Sequence, residues 1–95
     1  MKTFRRDKLR RLVEAGKVEL IGSYHFDDMH GTSGTDKSMP VAIHDPTQSV
    51  AQRQTGICYL YPSDFTSGSG ACWQNDNGTV TLIVHSNCNY TFRLK

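Results

Sequence analysis

Between Phe4 and Ala15 the apolar residues Leu9, Leu12 and Val13 fall on one stripe at helical spacing, and the positions around them are mostly charged. The pattern predicts a helix from Phe4 to Ala15, with Thr3 placed to cap its start and Gly16 suited to its stop. Asp7 and Arg11 lie one turn apart and can pair, for a few tenths of a kcal/mol. A stripe this narrow needs a partner surface to make the helix stable.

From Lys17 the spacing changes to alternation. In "KVELIGSYHF", Val18, Leu20, Tyr24 and Phe26 fall on one side of a strand, and Glu19, Ile21, Ser23 and His25 on the other. Asp27 returns to the His25 side, about 7 Å further along at about 3.3 Å per residue. Asp28, Met29 and His30 then enter "MHGTSGTDKSMP", a polar loop long enough in so small a chain to be a candidate binding element. "PVAIHD" predicts a short strand limited by Pro40 and Pro46, and "ICYLY" a strand of strong β-formers. "DPTQSVAQRQTG" and "PSDFTSGSGA" are predicted loops.

The last third predicts a three-strand meander. Asn75 to Gly78 form a turn that pairs Gln74 with Thr79, Trp73 with Val80 and Ala71 with Leu82. A three-residue loop, Asn87 to Asn89, pairs Ser86 with Tyr90, Val84 with Phe92 and Leu82 with Leu94. One face then carries Ala71, Trp73, Val80, Leu82, Val84, Phe92 and Leu94, and the helix can cover it. The other face, with Thr79, Thr81, Ile83, His85, Thr91 and Arg93, is polar and is either solvated or open to a polar ligand.

Composition narrows the class. Ninety-five residues with 37% hydrophobic content suit one globular domain over 1–95, a basic helix at 1–17 followed by a β-rich part at 18–95. A chain this short buries about 60–65% of its unfolded surface, so a second copy would be an easy source of further buried area. No apolar run reaches the roughly 20 residues that span a bilayer, and the charged start has no apolar signal core. A cytoplasmic location is the expectation. The three cysteines, Cys58, Cys72 and Cys88, fit no zinc or CxxC spacing and read as free thiols. The net charge of +2 hides a split. Residues 1–17 carry seven basic and two acidic side chains, a net of +5, and the rest carry four and seven, a net of −3. Such an arm attracts phosphate, docks on an acidic surface of its own oligomer, or is simply a solvated helix.

Catalytic chemistry is hard to read here. His25, Asp27, Asp28, His30 and His44 are suitable metal donors by type, but they match no closed ligand set. Asp27 and Asp28 are adjacent on a strand and diverge, which argues against a carboxylate pair. A cysteine nucleophile would need a histidine beside it in space. "SGSGA" lacks the ending of a phosphate-binding P-loop. Arg93 and Arg53 are more informative. They are the only arginines outside the helix, and a guanidinium is the usual bidentate partner of phosphate. Tyr59, Tyr61, Phe65 and Tyr90 are available to stack on a base, or to pack in the core.

The stretches "VELIGSYHFDDMHG" and "LIVHSNCNYTFRLK", behind one charged helix, resemble the phage Thoeris anti-defence sponges of the first described type. That resemblance implies an N-terminal helix followed by a β-rich part, assembly from dimers, and capture of cyclic ADP-ribose-type signals or cyclic oligonucleotides without cleavage. It also implies the cytoplasm of a host cell as the place of action. Arg93 and the Asn-rich turns are the residues the resemblance carries over. The expectation is an α+β fold, one N-terminal helix packed on an antiparallel sheet of five or six strands. The expected ligand is a cyclic nucleotide-like small molecule, bound by a homo-oligomer with no cofactor, metal or catalytic residue. The candidate binding residues are Arg93, Arg53, His85, Asn89, Tyr61, Phe65, His25 and Asp28. The alternative is a nucleic-acid- or protein-binding phage regulator that uses the basic helix. A small metal-dependent hydrolase comes third.

Overall fold

The structure is a computed structural model that describes residues 2–25, 38–66, 71–84 and 88–95, without the side chains of His25 and Val50. In chain order the elements are β1 (Lys2–Thr3), α1 (Arg6–Glu14), β2 (Val18–His25), β3 (Met39–Ile43), β4 (Cys58–Leu60), α2 (Pro62–Thr66), β5 (Cys72–Gln74), β6 (Val80–Val84) and β7 (Cys88–Leu94). A single 3-10 turn, Val50–Gln52, lies between β3 and β4. The strands form one seven-stranded sheet in the order β1-β5-β6-β7-β2-β3-β4. The fold is α+β, with more strands than the sequence pattern suggested and a mixed sheet. β3 and β4 run parallel, with Val41 beside Cys58 and Ile43 beside Leu60. The other paired strands are antiparallel. A parallel pair needs a crossover of a dozen or more residues, and the 44–57 connection is long enough to supply it.

One cluster of buried side chains joins Phe4, Leu9 and Val13 to Val18, Leu20, Val41, Leu60, Phe65, Val80, Leu82, Val84 and Phe92. Leu9, Val80, Leu82 and Phe92 have no exposed surface. α1 starts two residues later than its pattern suggests, with Arg5 rather than Thr3 as the capping residue and no side-chain cap. Thr3 pairs with Trp73 in β1 instead. The stop is as expected: Gly16 takes φ 68°, and its N–H and that of Lys17 return to the carbonyls of Val13 and Leu12. Among the described residues, no helix is long and apolar enough to cross a membrane.

Three registers differ from expectation, each for a local reason. In the β5–β6 hairpin Gln74 pairs with Val80, not Thr79, which turns Trp73 toward Thr81 and Cys72 toward Leu82. The Asn75 side chain explains the extra residue. Its amide donates to the Thr79 and Thr81 hydroxyls at 3.0 and 2.8 Å, and its oxygen accepts from Trp73 Nε1 at 2.8 Å. A Trp turned into the core would have left that N–H without a partner. Between β6 and β7, Val84 pairs with Cys88 and Val80 with Phe92. The shift from the expected pairing is even, so Val80, Leu82, Val84 and Phe92 keep the core face; Leu94 and Ala71, expected there, are exposed. In β2 a bulge between Leu20 and Gly22 inverts the alternation. Tyr24 therefore pairs with Asn89 away from Leu20 and is 36% exposed.

Candidate ligand-binding site

The carboxyl ends of the parallel strands bring two side chains together. His44 follows β3 and Tyr61 follows β4, and the His44 N–H donates to the Leu60 carbonyl at 2.6 Å. Their rings lie 4.9 Å apart, tilted by 53°. Ligand sites of open α/β sheets favour this end of parallel strands.

The local sequence fixes each member. Pro62 opens α2, as the first helical position allows. Tyr61 precedes it and is pinned by reciprocal bonds: its N–H donates to Asp64 Oδ2 at 2.7 Å, and the Asp64 N–H to its carbonyl at 2.9 Å. The predicted loop "PSDFTSGSGA" thus begins with a short helix, because Asp64 can reach back over its first turn. The crossover is equally self-bonded. Asp45 Oδ1 accepts from the Thr47 N–H and hydroxyl at 2.9 and 2.8 Å. Gln48 Nε2 donates to the Gln52 carbonyl, and the Ser49 N–H to Gln52 Oε1. The Thr47 amide, the Thr47 hydroxyl and the charge of His44 hold the Asp45 carboxyl below its usual range despite desolvation.

This crossover delivers Arg53 to the pair. Its guanidinium lies 5.7 Å from the Tyr59 ring and 5.7 Å from the Tyr61 ring, and Nη2 donates to the Tyr61 hydroxyl at 2.8 Å. The Tyr59 hydroxyl accepts the Gln54 N–H at 3.0 Å. The result is an array of His44, Tyr61, Arg53 and Tyr59. Within it Arg53 Nε and His44 Nε2 are shielded from solvent and have no hydrogen-bond partner. An unpaired buried donor costs about 1–3 kcal/mol, so an acceptor added at Arg53 Nε is stabilising, and His44 Nε2 is a second polar atom left to a ligand. Tyr61 is 47% exposed.

Arg93 stands elsewhere and is already engaged. It pairs with Glu19 across β7 and β2, and Nη2 donates to Glu19 Oε2. Ser38 donates to the same carboxylate, and Lys95 Nζ approaches its other oxygen at 3.8 Å. The Ser38 hydroxyl and the Arg93 guanidinium hold the Glu19 carboxyl below its usual range. An arginine on a sheet face needs solvent, a carboxylate or a phosphate as its partner, and the partner present is the Glu19 carboxylate.

The remaining candidates scatter. Asn89 is half-buried on β7 between Ile83 and Tyr24. Phe65 is 3% exposed, a core residue and not a free stacking surface. It reaches only an open depression of about 350 Å³ lined by Phe4, Arg5, Arg6, Asp7, Phe65 and Cys72. The positive charge there is partly offset, since Asp7 lies 3.3 Å from Arg5 and 3.7 Å from Arg11. His25 pairs through its backbone with Cys88. Its side chain, Asp27, Asp28, His30, His85 and the 67–70 part of "SGSGA" lie outside the described residues. Burial pushes Tyr90 up to about 12, with Cys88, Cys58 and Asp64 adding to the effect.

Arg53 and Tyr61 are thus brought together, while Arg93 and Phe65 belong to other parts of the fold. Sequence reasoning gave His44 only as a metal donor by type and Tyr59 only as a stacking aromatic, and placed neither beside Arg53. The available signal was the long 44–57 connection between two short strands, which permits a parallel pairing and sets "AIH" beside "YLY". No protein-family model, curated protein or solved structure matches the chain.

Proposed function

We propose that this chain is a non-enzymatic binding protein that captures a phosphorylated, nucleotide-like small molecule at the His44–Tyr61–Arg53–Tyr59 array. One observation carries the reading: a guanidinium set between two tyrosine rings keeps a shielded, unpartnered Nε at the carboxyl ends of a parallel strand pair. An oxyanion supplies the missing acceptor, and a charge-assisted contact to arginine is among the stronger hydrogen bonds. The exposed Tyr61 ring supplies a stacking surface for a base.

The nearest carboxylates in sequence, Asp45 and Asp64, are both occupied by backbone N–H groups. They hold loops in place. The resemblance to phage sponges adds cyclic ADP-ribose and cyclic oligonucleotides to the candidate ligands. The protein works in this reading as at least a dimer, a state that sedimentation at micromolar concentration reads directly.

Calorimetric titration with AMP and cyclic ADP-ribose tests the reading. Arg53→Ala should cost roughly 2–4 kcal/mol of binding, as truncation of a desolvated charge contact does. Arg53→Lys should recover only part, because an ammonium lacks the planar fork. The ligand should be recovered unchanged. Equal binding by wild type and Arg53→Ala would move the site elsewhere, and a cleaved ligand would make the protein an enzyme.

A further inference from the structure

Resting on the binding reading above, we infer that the array recognises the phosphoryl group itself, through the phenol protons of Tyr59 and Tyr61 as well as Arg53, with Tyr61 the specificity-determining residue.

A phenol has one oxygen and one proton. The Tyr61 oxygen already accepts from Arg53 Nη2 at 2.8 Å, and the Tyr59 oxygen from the Gln54 N–H at 3.0 Å. Each tyrosine is therefore turned so that its oxygen is satisfied and its proton is left to donate. Among the described residues no hydrogen bond is formed by either phenol proton. Arg53 Nε has no acceptor either. The two phenols and Arg53 Nε give three donors around one guanidinium, a donor-rich cradle. Its complement is a group made of acceptors pointing in several directions. A phosphoryl group has that shape; a nucleoside base or an amide, with mixed donors and acceptors in a plane, does not.

Tyr61 joins both functions. It holds Arg53 through its oxygen, offers its proton, sets its ring at a tilt against His44 and is about half exposed. Phenylalanine at this position keeps the ring and removes the hydroxyl alone.

The experiment is calorimetry of wild type, Tyr61→Phe and Tyr59→Phe with AMP, cyclic ADP-ribose and adenosine, with a thermal melt of each variant. The expected result is tight AMP binding by the wild type and weak adenosine binding. Tyr61→Phe should weaken AMP about ten- to a hundredfold, the range for a hydrogen bond to a charged group, while adenosine stays within about twofold. Tyr59→Phe should act in the same direction, through a hydroxyl that makes no hydrogen bond to Arg53 and with the ring beside Arg53 kept. If Tyr61→Phe and Tyr59→Phe both bind AMP as well as wild type, the phenol protons are not used and the inference is wrong, with the binding reading intact. Adenosine bound as tightly as AMP would show base recognition instead and overturn it too. Failure of the wild type to bind either phosphorylated ligand would remove the binding reading itself.

Discussion

Replacing Asn75 with alanine tests the hairpin register that sets the polar side of the sheet. Asn75 is the hub of a small network: it accepts from Trp73 Nε1 and donates to Thr79 and Thr81. Thr81 is 5% exposed, so water does not readily replace the lost donor at its hydroxyl. Leaving such a group unsatisfied costs about 1–2 kcal/mol. Trp73 is half-buried and recovers part of its bond from water, for a further loss of about 0.5–1 kcal/mol. Thr79 keeps its bond to Asn77 at 2.6 Å and adds little. The sum is about 1.5–3 kcal/mol, or a midpoint lower by roughly 6–24 °C for a domain of this size. The chain has one tryptophan, so the emission of Trp73 follows the same event. Asn75→Asp keeps the oxygen facing Trp73 and loses the amide facing Thr81, which separates the two contributions. The Gln74–Thr79 register would leave Asn75 on an exposed turn. An Asn75→Ala protein within about 0.5 kcal/mol of wild type, with unchanged Trp73 emission, would refute the network and favour that register.

Other perturbations follow from the same geometry. Arg93→Ala should leave AMP affinity within about twofold of wild type, because its guanidinium serves Glu19 and not the array; calorimetry decides. The folded Glu19 carboxyl titrates below its ordinary value, so its stabilising contribution is present above about pH 4.3, the unfolded value, and is lost as pH falls through the lower folded value. Glu19→Gln should flatten that acid limb in melts taken between about pH 3 and 6. Phe65→Ala should lower stability by about 3–5 kcal/mol in denaturant unfolding, as for a core aromatic. Burial pushes Cys72 up to about 11 against the pull of Arg6, and pushes Cys58 up as well. Both thiols should therefore react with a disulfide reagent at pH 8 far more slowly in the native than in the unfolded protein.

Much of this fold could be read from period and punctuation. Leu9 and Val13 at helical spacing, Gly16 as a stop, and the alternation of Val80, Leu82, Val84 and Phe92 all report burial directly, and all four β positions are in the core. What alternation does not report is where a strand slips. The bulge after Leu20 leaves a sequence that still alternates, yet reverses Tyr24. The β5–β6 register turns on one asparagine side chain, whose bonds form only once Thr81 is opposite Trp73. The His44–Tyr61–Arg53–Tyr59 array is half legible. Arg53 and Tyr61 stood out by residue type. Their meeting depends on a parallel pairing of two short strands, a long-range contact that no local pattern encodes.

In the proposed function, Arg53 Nε takes its missing acceptor from the ligand. Its own N–H resonance reads this most directly, in a nitrogen-detected side-chain spectrum titrated with AMP and cyclic ADP-ribose. The Arg53 Nε–H signal should shift as ligand saturates, while the Arg93 signal stays in place. A ligand that saturates the protein without moving the Arg53 signal, or a spectrum that neither compound changes, would contradict it.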